Sequence, residues 1–374
     1  MATLLLAAFL VVASTDARPT PHPLDLVARA FDARNRYANF PTYDQLPLHP
    51  SFPTKAAWGV WGASDEFGAL NHITRATRLA ARSEIQTGRA ISLNLAIAVP
   101  DPPIDPQRPP LIHAIQPFAG YQDDVLTLNT QISTQFGGLR HFPYSTNFEQ
   151  STYQFYNDLI TFDDIVAPGG TSTLGIQSMH AAASLRGKRL TSFWGRRLAE
   201  RDRWARRSAR LGRTIIIPTT ELDAVARWQG LDPAAFTAPG DFLVVRTSFM
   251  KQYTALSAHA QTVLPFRAGA AVQWVGVEAS DATLRWLWDK KVALVGADNP
   301  TFESAPLSGV IDGAVRNLHM VFIGGWGQSI VEFMDLEELA ATCHALKRFH
   351  FFFTLQNLNV VGGIASPPNA MAIL

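Results

Sequence analysis

The sequence predicts one α/β domain built on a mixed β-sheet, and three observations lead there. Short apolar or β-branched runs of strand length recur along the chain, each bounded by Gly, Asp or Pro. Segments with helical spacing lie between them, and no internal repeat is present. At 374 residues, 47% hydrophobic and 17% charged, the chain can bury a large core and lacks a disordered composition. Such a length suits one large domain or two modest ones.

The elements follow in chain order. Residues 90–97 alternate polar and apolar side chains, the pattern of a half-buried strand. Residues 100–110 form a proline-dense connection. Strands are expected over 241–246, 271–277, 292–297 and 320–323, and helices over 282–290 and 336–346. The second helix carries Cys343, read as a small buried hydrophobe. It is the sole cysteine, which excludes an intramolecular disulfide and a Cys-based zinc cluster. Residues 18–57, rich in Pro and aromatics, are expected to drape over the body.

Two segments stand apart. In residues 1–17 an apolar run, Leu4 to Ala13, precedes small residues at Thr15-Asp16-Ala17. It reads as a signal peptide for the secretory pathway, removed near Ala17, with the N-terminal helix of a cytoplasmic protein as the alternative. The run is too short to span a bilayer, which takes about 20 residues. Residues 186–213 hold eleven Lys and Arg against Glu200 and Asp202, a local balance of +9 that leaves −8 for the rest. Trp194, Leu198, Arg201 and Ala205 recur there at helical spacing, giving a basic amphipathic helix. An acidic partner, an anionic substrate or a membrane surface would suit it. A solvated helix paired with the acidic remainder is the plainer reading and the one preferred. The net charge of +1 argues against a nucleic-acid partner.

Chemistry concentrates in residues 128–142, Leu-Asn-Thr-Gln-Ile-Ser-Thr-Gln-Phe-Gly-Gly-Leu-Arg-His-Phe. This segment resembles the signature His-x-Gly-Thr-His-x-Asp-x-Pro-x-His-Phe of the cyclase family, which includes bacterial kynurenine formamidase and fungal cyclases. Further segments resemble that family in the same order: Phe40 to Pro47, Trp58 to Gly62, Asp65 to Asn71, Gly240 to Thr247, Trp286 to Asp289, Asp298 to Glu303, and the C-terminal run from Asn357. The likeness covers about residues 40–374, with 186–213 matching poorly. It implies a single catalytic domain over 18–374 whose mixed sheet curls into a barrel-like core with flanking helices.

In that family the first two His and the Asp of the signature hold a divalent metal. The resemblance places these positions on Gln131, Gln135 and Gly137, and keeps the last His as His141. It assigns two further ligand positions to His319 and Glu332. A Zn or Mn ion usually needs three or four strong donors, so one His and one carboxylate leave it underheld. No cofactor is therefore expected, beyond a weakly held metal.

An acid–base set remains. His141 ordinarily titrates near neutrality, with His319 or Glu332 as its counterpart and Gln135 orienting the reacting oxygen. Gln131 and the aromatic residues Trp58, Trp61, Phe136 and Phe142 are candidate substrate contacts, although clustered aromatics also build cores. No Gly-x-Ser-x-Gly elbow supports a serine hydrolase, and Gly324-Gly325-Trp326-Gly327 lacks the lysine of a P-loop. Three functions compete. One is a lyase or isomerase that dehydrates, cyclises or isomerises an oxygenated small molecule in secondary-metabolite biosynthesis. The second is a metal-dependent amidohydrolase resembling kynurenine formamidase, and the third a non-catalytic binder of a small ligand. A homodimer is compatible with each.

Overall fold

In the computed structural model, residues 23–26, 37–182, 185–187, 190–193, 214–266 and 273–374 are described. The signal-peptide segment and the helical spacing at Trp194 to Ala205 lie outside them.

A six-stranded sheet positions the site. Its order is Ala365–Ser366, Gln135–Gly137, Ile330–Glu332, Leu294–Ala297, Phe242–Val245, Leu190–Phe193. The last four strands run parallel, and the first two join antiparallel at one end. The parallel strands Phe242–Val245 and Leu294–Ala297 are buried on both faces, which explains their unbroken apolar sequences. A second, antiparallel sheet has the order Ala90–Ser92, Asn369–Ile373, Phe352–Gln356, Leu185–Gly187. Phe242 of the first sheet meets Phe353 of the second at 4.3 Å between ring centroids. Among the described residues both sheets are open, so the expected barrel-like closure is not found. A single apolar core runs from Leu24 to Leu374.

Helix Asp281–Lys290 starts where Ser280 Oγ accepts the Thr283 N–H (3.3 Å) and ends on Lys291 in the left-handed region. Its buried face presents Leu284, Leu287 and Trp288. The N-terminal drape of residues 37–57 is held there: the Tyr43 hydroxyl donates to Asp281 (2.6 Å) and the Trp288 indole N–H to the Pro41 carbonyl (2.8 Å). Helix Glu337–Leu346 buries Leu339, Ala340 and Cys343. Its first turn is anchored by Arg246, whose guanidinium grips both Glu337 oxygens (2.8 and 2.7 Å).

Two elements depart from the sequence reading. Residues 320–323, expected as a strand, belong to a π-helix, Met320–Trp326. Its Gly324 packs so tightly that a Cβ there would lie 2.4 Å from the Tyr144 amide nitrogen. Between Arg108 and Gln131, strands Ile112–Phe118 and Tyr121–Thr127 form a two-stranded ribbon with every strand residue exposed. No helix among the described residues is long and apolar enough to cross a membrane.

Candidate active site

The site begins where Gln135 and Glu332 face each other across the antiparallel strand pair. Cross-strand neighbours on one face of a sheet lie within side-chain reach, and the Gln135 amide donates to Glu332 Oε2 at 2.6 Å. The same amide nitrogen lies 3.3 Å from the Pro300 carbonyl, and the amide oxygen accepts from Arg108 Nη1 at 3.2 Å. These partners fix the amide's orientation. Gln135 is thus tied into the protein network, where the sequence reading placed it on the reacting oxygen.

His319 leads into the π-helix, an element often found at functional sites. Its Nδ1 is 2.7 Å from Glu303 and its Nε2 is 3.1 Å from Glu332, with all three side chains buried. Glu303 also accepts the backbone N–H groups of Leu318 and His319, so one carboxylate both starts the helical turn and orients the ring. Burial alone would lower the His319 pKa. The charge of Glu332 close by and the hydrogen bond to Glu303 overcome that and raise it to about 10. His319 is therefore a standing imidazolium held between two carboxylates.

His141 behaves in the opposite way. Arg140 fixes the turn that carries it, donating to the carbonyls of Thr171, Thr173 and Gly362. The His141 ring lies over Gly137, close enough that a Cβ on residue 137 would sit 3.2 Å from its Cδ2. Surrounding protein and the positive charges of Arg108 and His319 push its pKa down to about 3. The expected titration near neutrality is overturned: at physiological pH His141 is a neutral imidazole. It pairs with neither His319 nor Glu332, which engage each other, and neither of its ring nitrogens has a hydrogen-bond partner among the described residues.

The aromatic candidates divide. Phe142 is half-buried at the site, its ring 5.1 Å from His319 and 6.4 Å from His141. Phe148 stands edge-on to Phe142 and faces solvent, on a backbone in the left-handed region (φ 59°). Trp58, Trp61 and Phe136 are core residues. Trp58 packs on Phe52 and donates to the Gly324 carbonyl, while Trp61 packs among Phe40, His72 and Trp288. Trp61 also lines a surface cavity of about 560 Å³ with Asp65 and Glu66. That cavity includes none of the site residues, and its carboxylates already accept protein donors, Gly68 and Tyr156 on Asp65 and Leu174 on Glu66.

Two members of the site were missed in the sequence. Glu303 sits inside a quoted motif, Asp298 to Glu303, but a lone carboxylate carries no local signal for a partner sixteen residues away. Arg108 lies in the proline-dense connection, yet its Nη1 reaches the Gln131 carbonyl (2.5 Å) as well as Gln135. A single cation in an otherwise uncharged Pro-Gln-Arg-Pro-Pro run was the available clue.

The divalent metal implied by the family resemblance does not fit these donors. Gln131 and Gln135 are neutral amides and Gly137 has no side chain. The His141 ring crowds the space a residue-137 carboxylate would need, and both His319 nitrogens face carboxylates. Among the described residues no group of three or more His, Cys, Asp and Glu is arranged to hold an ion.

Comparison with solved structures places the fold. It is similar to a crystal structure described as a novel cyclase, with TM-score 0.69 and 26% identity over 85% of this chain and 99% of that one. The chain has the fold of that cyclase. An isatin hydrolase bound to the product analogue thioisatinate matches with TM-score 0.50 and 13% identity, over 81% of this chain and 99% of the hydrolase. Isatin hydrolase A from Ralstonia solanacearum gives 0.49 and 14%, over 80% and 97%. No protein-family model matches the sequence, and no curated protein does.

Proposed function

We propose that the chain is an enzyme of small-molecule metabolism, of lyase or isomerase type, which moves a proton next to a carbonyl without metal-activated water. The observation that carries this reading is His319 clamped between Glu303 and Glu332 beside a neutral His141. Likeness to the novel cyclase supports an enzyme on this fold. Tailoring of an oxygenated natural product is the setting we favour, from the sequence resemblance.

Glu332 is the base. One of its oxygens is oriented by Gln135, while the other, 3.1 Å from His319 Nε2, makes no well-aligned hydrogen bond. The adjoining imidazolium holds this oxygen in place until a substrate C–H is presented. As that proton passes to Glu332, electrons move onto the carbonyl oxygen. A neutral imidazole is suited to hydrogen-bonding such an oxygen without protonating it, which is the part we give to His141. Returning the proton to another carbon isomerises the substrate. Returning it to a departing hydroxyl at the β-carbon completes a dehydration, with water as the second product. His319 and Gln135 act through Glu332 as positioning residues.

The test is solvent exchange. Incubated in D₂O with a panel of β-hydroxy carbonyl compounds, the enzyme is expected to place deuterium next to the carbonyl of its substrate, and a chelator should leave the rate unchanged. Removing a positioned general base costs about 10²–10⁴-fold, so Glu332→Gln should abolish exchange. Activity that disappears with chelator and returns with Zn or Mn would overturn the proposal and favour a metal-dependent hydrolase.

A further inference from the structure

Three side chains around the His319–Glu332 pair have hydrogen-bonding capacity that the described residues leave unused. Arg108 directs Nη1 to Gln131 and Gln135 and holds Nε 3.3 Å from the half-exposed Asp105, while Nη2 has no partner. Gln131 is only 6% exposed, and both its amide oxygen and its amide nitrogen are buried without a partner. Neither ring nitrogen of His141 is hydrogen-bonded. Buried polar groups are nearly always paired, so the two open atoms of Gln131 call for an explanation, and the half-buried Arg108 and His141 beside the same network offer open donors.

Their chemistry defines the occupant. The guanidinium can only donate, a neutral imidazole offers one donor and one acceptor, and a primary amide offers two donors and an acceptor. An anionic pair of oxygens, engaged by Arg108 and reached by the amide N–H group of Gln131, suits these donors and leaves the imidazole N–H for the reacting carbonyl. Arg108 and His319 offset Glu303 and Glu332, and the remaining carboxylate, Asp105, is half-exposed on the Nε side of Arg108. Phe142 and the outward-facing Phe148, set edge-on to each other, form an apolar corner beside the same residues, where one aromatic face of a substrate can rest.

We propose that the site takes an organic acid, whose carboxylate is held by Arg108 Nη2 with Gln131, its apolar body resting in the corner between Phe142 and Phe148 and its reacting carbonyl facing His141. The proposal rests on the catalytic reading above and names its substrate class. Arg108 is thereby a substrate-binding residue and Phe148 a specificity residue.

Calorimetric titration with benzoate and with benzamide, its neutral isostere, tests the proposal without turnover. The wild-type chain is expected to bind benzoate about tenfold or more tightly than benzamide, the effect of one charge-assisted hydrogen bond. Arg108→Gln should erase that preference, and Phe148→Ala should weaken both probes alike. If Arg108→Gln fails to fold, Arg108→Lys is expected to keep the preference at reduced affinity, because it retains the charge and loses the fork. Equal affinity for the two probes, binding of neither, or an unchanged benzoate affinity in either arginine variant overturns the proposal. Glu332→Gln should still bind benzoate, so a failure of the proton-transfer reading is distinguishable from a failure of this one.

Discussion

At the scale of single residues, the two site histidines are driven apart by their surroundings. His319 gains two carboxylates and keeps its proton to about pH 10. His141 gains burial and two neighbouring cations and refuses a proton down to about pH 3. The consequences for stability have opposite signs. The His319 contribution is complete below the ordinary value of 6.5 and is lost as the pH rises through the folded value near 10. For His141 the unfolded chain takes up a proton below 6.5 that the folded chain declines until about 3, so stability falls on acidification across that window. Urea midpoints measured from pH 3 to 10 should show both limbs. His141→Gln is expected to flatten the acid limb and His319→Gln the alkaline one. An acid limb unchanged in His141→Gln would show that the imidazole titrates normally.

Much of this residue-level chemistry was legible and some was not. Gln135, His319 and Glu332 could each be picked out as site residues through the family resemblance, but the hydrogen bond that joins Gln135 to Glu332 could not. The charge state of His141 could not be read, because it depends on Arg108, which approaches from a loop thirty-three positions away.

At the scale of elements, local pattern served where neighbours agreed with it. The helices Asp281–Lys290 and Glu337–Leu346 begin and end within a residue of their periodicity, and the strands Phe242–Val245 and Leu294–Ala297 fall inside their apolar runs. The π-helix Met320–Trp326 was hidden because every residue in it is buried. An apolar run without a solvent face has no period to betray a helix. What permits the coil is the absence of a side chain at Gly324, against the backbone of Pro143 and Tyr144. Gly324→Ala is expected to destabilise the fold by about 1–3 kcal/mol or more through overpacking, and to disturb His319 at the head of the same helix. Chemical denaturation gives the first number. A variant as stable as wild type would mean that this approach is loose.

At the scale of the whole molecule, the exposed ribbon is the part least accounted for by the core. An isolated two-stranded hairpin is marginal in water, and this one exposes Ile112, Ile115, Tyr121, Val125 and Leu126. Sequence reading missed it because neither face meets the core, so its apolar residues follow no burial period. Limited proteolysis should cut first near the turn at Ala119 and Gly120, leaving two fragments that stay associated through the core. Resistance of that turn while other loops are cleaved would show that the ribbon is covered in solution.

The close approach of His141 to Gly137 bears on how this scaffold could be redesigned. An engineer installing a metal centre would start with an aspartate at 137, yet even its Cβ would meet the imidazole at 3.2 Å. The ring would have to yield a few tenths of an ångström before any ion had been gained. Histidine at 135 would in turn release Glu332 and Arg108 from the amide that now joins them. Single substitutions therefore each damage the existing site without creating the new one. Conversion to a metalloenzyme requires positions 131, 135, 137 and 141 to be changed together, and a library that varies them one at a time would pass only through inactive intermediates.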